Sequence, residues 1–146
     1  MSASNEFETN LQKLIFNNTA LANVGDTGGL QPSAAAGNLY VSLHTADPGE
    51  AGDQTTSECA YTSYARVAVA RSAAGWTVSG GTASNAATVT WPQCSGGSET
   101  ATYFGIGTDS TGAGHLLFSG PLSSSFAISN AITPRAAAGE LTVPCD

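Results

Sequence analysis

Positive charge is what this chain has least of: four Lys and Arg stand against eleven Asp and Glu in 146 residues, a formal net charge of -7. A surface that replaces the counterions of a phosphate backbone needs Lys and Arg in number, so direct binding of nucleic acid is not expected. Charge of either sign is scarce, at 10% of residues against 41% hydrophobic. The water-facing side must therefore be built from Ser, Thr, Gly, Asn and Gln, a surface that suits close packing against neighbours. Cysteine is scarce as well. Cys59, Cys94 and Cys145 are far apart, odd in number and outside the paired spacings that hold zinc or run thiol exchange, so they read as small apolar residues. No apolar run approaches the roughly 20 residues of a membrane helix, and no basic start followed by an apolar stretch marks a signal peptide. The expectation is a soluble protein made in a cytoplasm, with no membrane partner.

The sequence also lacks the patterns that aim catalytic groups. No Gly-x-Ser-x-Gly elbow, phosphate loop or His-Glu-x-x-His element occurs. The two histidines, His44 and His115, stand in no motif that would orient them toward a serine. His44 falls on the polar side of its strand beside Asp47, and His115 opens a strand after Gly112 and Gly114, so both read as surface or hydrogen-bonded structural residues. The acidic stretch with Asp47, Glu50, Asp53 and Glu58 offers oxygen ligands to a hard cation. Its carboxylates, however, are separated by Pro and Gly, unlike the alternating ligands of a calcium loop, and a solvated loop is the preferred reading. No enzyme activity, cofactor or metal is expected.

What is present is a helix followed by many short strands. Phe7, Leu11, Leu14 and Ile15 are spaced to share one helical face, and Asn5 with Glu8 three residues on predicts an N-terminal capping box. Gly25, Gly28, Gly29, Pro32 and Gly37 then mark an irregular linker, so residues 1–38 read as a helix and glycine-rich arm ahead of a body at 39–146. In the body, Leu39, Val41 and Leu43 alternate with Tyr40, Ser42 and His44 as in a half-buried strand. Similar alternation at 64–70, 75–79, 86–91, 101–107, 115–119, 125–130 and 139–143 predicts about eight strands, separated by Gly-rich turns. The fold class is mainly β: a single β-sandwich, jelly-roll-like, with a short N-terminal helix. Trp76, Trp91, Tyr61 and Tyr64 are candidates for stacking on a sugar ring, but Trp76 alternates with Val78 and Trp91 with Val89, so packing is preferred. The stripe Phe7, Leu11, Leu14 and Ile15 is the candidate partner interface, because an amphipathic helix before a flexible linker is suited to docking.

The segments LYVSLHTADPGEAG, YARVAVAR, GWTVSG, ASNAATVTWP, YFGIGTDSTGAGHLLFSG and AAAGELTV, in that order from Leu39 to Val143, resemble a widespread family of small virion structural proteins of tailed bacteriophages. Members of that family are often labelled tail-fibre proteins, whereas other small β-sandwich phage proteins are capsid decoration, or cement, proteins. The resemblance implies a virion part and supplies no catalytic residue. Of the roles it opens, a decoration protein binding the major capsid protein lattice on the capsid surface as a homo-oligomer, dimer or trimer, is preferred for its size and low-charge surface. The alternative is a tail or head fibre component that binds a host receptor or glycan; against it, no internal repeat suggests a shaft.

Overall fold

The computed structural model describes residues 2–145 and is mainly β, with one helix at its N-terminal end. The elements in order are α1 (Asn5–Asn17), β1 (Asn38–His44), β2 (Val67–Ala70), β3 (Trp76–Ser79), β4 (Thr82–Asn85), β5 (Val89–Thr90), β6 (Ser98–Gly107), β7 (Leu116–Ser129), β8 (Arg135–Ala136) and β9 (Thr142–Pro144). They pair antiparallel in three sheets, ordered β2-β1-β6-β7, β3-β4-β9 and β5-β8. The expected class is observed, with nine strands in place of about eight. No pairing among the described residues closes these sheets into a barrel or gives the two four-stranded sheets of a jelly roll.

Three differences from the expected strands have local causes. The segments 115–119 and 125–130 belong to one strand, β7, which crosses Pro121 because its far side has no strand to bond and a missing N–H is tolerated there. The tetrad Thr82–Asn85 is a strand although Ala83 and Asn85 are of types depleted in strands. It is placed by a two-residue hairpin whose Gly80 and Gly81 have φ of 56° and 74°, the positive values that a twist-matched turn requires. Arg135–Ala136, outside the expected strands, is a two-residue strand held by pairing with Val89–Thr90.

The core lies between the four-stranded sheet and the smaller sheets. On the inner face of the large sheet, Val41 stands opposite Ile106, and Ile106 opposite Phe118, while Leu43 stands opposite Phe104. From the other layer come Trp76, Ala83, Val89, Trp91 and Val143, all buried. Trp91 also donates its indole N–H to the Val41 carbonyl at 3.2 Å, joining the layers by a hydrogen bond. Both tryptophans therefore pack, as their alternation predicts.

The helix folds back on this body. Its N-cap is Ser4, not Asn5: the Ser4 hydroxyl accepts from the Phe7 amide at 3.3 Å, so the frame shifts by one residue and Glu8 is not in the capping-box position. The buried face is centred on Gln12 and Phe16, rotated away from the expected stripe. Phe16 packs on Trp76 and Phe118 with ring centroids 4.9 and 5.4 Å apart. Polar neighbours fasten the same face: Gln12 donates to the Val143 carbonyl, Asn17 to the Trp76 carbonyl, and Thr9 accepts from the Gly81 amide. A helix of 13 residues is too short to persist alone in water, and these tertiary contacts sustain it.

Candidate functional site

The outer face of the four-stranded sheet carries a buried polar seam, roofed by residues 45–58. Along β1 both faces are sealed from Val41 to His44, so the strand is not half-buried as its alternation predicts. Ser42 and His44, on the outer face, are each 0% exposed. The Ser42 hydroxyl and His44 Nε2 are 2.8 Å apart, and His44 Nδ1 lies 2.8 Å from the Thr56 carbonyl oxygen. The surface placement expected for His44 is thus corrected, while its hydrogen-bonded structural character stands. Burial lowers the pKa of the imidazole below the ordinary 6.5.

Two glycines make room for the roof. Gly105 stands opposite Ser42 and Ser119; a Cβ there would lie 2.6 Å from both His44 Nε2 and Ser42 Oγ. A Cβ on Gly107 would strike the side-chain amide of Gln54, itself 0% exposed. Gln54 uses that amide as a strand uses its backbone: Nε2 donates to the Asp109 carbonyl at 3.2 Å and Oε1 accepts from the Asp109 amide at 3.0 Å. The acidic loop is therefore only partly solvated. Asp47 and Glu50 are exposed, whereas Asp53 and Glu58 are turned to internal bonds.

Glu58 is the hub of the loop's far end. Arg66 grips it bidentately, Nε to Oε1 at 2.7 Å and Nη2 to Oε2 at 2.8 Å, and also donates to the carbonyls of Asp109 and Gly112. The Tyr64 hydroxyl donates to Glu58 Oε1 and accepts from the Leu43 amide. The Glu58 hydrogen bonds hold the Arg66 pKa above its ordinary value, and burial raises that of the Tyr64 phenol. Burial likewise pushes the Cys59 thiol up to about 12, so this sulfur behaves as a small apolar group.

A second arginine does for the helix what Arg66 does for the loop. The last turn of α1 has no basic residue of its own. Arg71 donates to the carbonyls of Leu14, Ile15 and Ala36, satisfying helix-end acceptors and placing a cation at the negative end of the helix dipole. Of the expected interface residues, Phe7 is 43% exposed, Leu11 and Leu14 are half-buried, and Ile15 packs partly against the core. The four lie on one side of α1, away from the face centred on Gln12 and Phe16, with Ile15 at its edge against the core.

Beside the seam, an open groove of about 540 Å³ runs between the 47–52 turn and the outer side of β7, with Tyr103 also lining it. Asp47 and Glu50 form one wall; Leu117, Ser119 and Pro121 belong to the other. Sequence reasoning did not single out this groove. The signal available was ADPG, where Asp47 Oδ1 accepts from the Gly49 amide and turns the chain back over the sheet.

The fold and site define a small β body in which His44, Arg66, Arg71 and Glu58 are engaged in internal bonds. A family model described as podophage GP4 fiber I protein gp80 matches residues 2–144, and the chain belongs to that family, a family of phage virion structural proteins. Comparison with curated proteins gives no match.

Proposed function

We propose that this protein is a fibre-type component of the virion, a compact body that docks on another virion protein and carries no catalytic activity. The observation that carries the reading is the match of the fibre family over residues 2–144, which spans the helix as well as the sandwich. The geometry supports it. Ser42 and His44, which have the spacing of a nucleophile and its base, lie under a roof with neither atom open to a substrate. The resemblance segments also map onto architecture: Arg66 of YAR, Asn85 of SNAA and Gly105 and Gly107 of FGIG each hold or admit an internal contact.

A capsid decoration role, as a homo-oligomer on the major capsid protein, is the second reading. It is favoured by the single small body without a repeated shaft. Copy number per purified particle separates the two: a few to some tens of copies, with antibody label at the tail or a vertex, fits a fibre component. Hundreds of copies spread over the shell would replace it with the decoration role.

A further inference from the structure

We propose that the free edge of β7 from Leu116 to Gly120 is the docking strand of this protein, and that it receives an extended, Lys- or Arg-bearing segment of another virion protein. The four-stranded sheet ends at β7, so along the described residues one side of its backbone has no strand partner. The opposite edge, β2, is four residues long; β7 is fourteen. Long edges invite strand addition unless they are blunted. Here the edge is open on both sides: the outer groove of about 540 Å³ and an inner one of about 430 Å³ share Phe118, Ser119, Gly120 and Pro121. Pro121 lacks an N–H and ends the usable ladder, which makes the docking stretch about five residues.

Charge selects the occupant. Asp47 and Glu50 face the edge across the outer groove, and no Lys or Arg lines it. Of the four basic side chains, Arg66 and Arg71 are engaged inside the molecule, and the other two, Lys13 and Arg135, lie outside the groove. A second copy pairing through its own β7 would bring LLFSGPLSSSFAIS, which has no positive charge to set against these carboxylates. A foreign basic strand satisfies both the unpaired backbone and the acidic wall. The inference rests on virion membership and holds for a fibre joint or a shell site alike.

The test is reattachment of the purified full chain to particles assembled without it, measured against sodium chloride concentration. Asp47→Asn with Glu50→Lys changes the groove wall at two exposed positions and keeps the Asp47 turn acceptor. Asp26→Asn with Glu6→Lys makes the same charge change away from it. The groove pair is expected to keep the wild-type melting temperature and lose attachment by about tenfold, while the control pair attaches normally. The β7 amides that point to the free edge, Ser119 among them, should gain hydrogen-exchange protection on the particle. Normal attachment by the groove pair, equal loss in both pairs, unprotected β7 amides, or a dimer formed through this groove in sedimentation would each overturn the proposal. A wild-type chain that attaches to no particle would overturn the docking function as well.

Discussion

Over its central strands the four-stranded sheet is buried on both faces, yet by opposite chemistry. The inner face is apolar: Val41, Leu43, Phe104 and Ile106 meet Trp76 and Trp91, and the contact is stabilised by area removed from water. The outer face is polar and bare. Gly105 leaves room for Ser42 and His44 beneath the roof and Gly107 for Gln54 of the roof itself, each satisfied by a named partner. An apolar face tolerates exchange of one hydrophobe for another of similar volume. A polar seam does not, since a partner removed leaves a buried donor or acceptor unpaired. The inner face thus sets stability, while the outer face sets the shape of the loop that walls the groove.

That contrast yields a ranked set of substitutions. Trp91→Ala, on the inner side, should cost about 3–5 kcal/mol and unfold the whole domain at lower temperature, because it empties the core and removes the hydrogen bond to the Val41 carbonyl. A variant with an unchanged melting curve would show that the layers do not depend on this ring. Arg66→Met should cost about 3 kcal/mol, near the low end for removing one partner of a buried pair, since the Glu58 side chain keeps 15% exposure. Adding Glu58→Gln should recover part of the loss; no recovery would mean that Arg66 matters through its bonds to Asp109 and Gly112. Gly107→Ala should cost about 1–3 kcal/mol by forcing Gln54 aside. Its distinguishing effect is local: limited proteolysis should cut within residues 47–58 before the body unfolds, and simultaneous loss of both would erase the distinction between faces.

The inner face was legible in the sequence and the outer one was not. Period-2 alternation located the core strands and both tryptophans, because apolar burial repeats with the pleat. The same rule misplaced His44: alternation tells which residues share a face, but not whether a loop covers the second face. The cover depends on Gln54 reaching the backbone of Asp109, 55 positions away, and no local pattern encodes such a contact. On the helix, a stripe of apolar residues pointed to Phe7, Leu11, Leu14 and Ile15. The side packed on the body is a different one, with Gln12, Asn17 and Thr9 around Phe16, because it meets backbone groups of β3, β9 and the Gly80–Gly81 turn that need polar partners.

The smallest expected effect lies in the seam and is read by pH. Burial holds the His44 imidazole neutral; the Thr56 carbonyl and the Glu58 carboxylate favour its protonated form, and Arg66 opposes it, leaving a folded pKa below the unfolded 6.5. Below pH 6.5 the unfolded chain therefore binds more protons at this site than the folded one. Stability then falls as pH is lowered from about 6.5 and levels off once pH is under the folded pKa. Asp53 acts in a separate, lower window. Hydrogen bonds from Thr55 hold its pKa below 3.8, so its share is lost only as pH falls through that depressed value. Melting temperatures measured from pH 7 to roughly 5, above the carboxylate range, should thus decline in the wild type and stay nearly flat in His44→Gln, whatever that variant's absolute stability. The same slope in both proteins would show that His44 does not carry the dependence. A flat wild type would mean that the roof opens to let the imidazole charge in water, and the polar seam would then be a looser closure than the apolar core behind it.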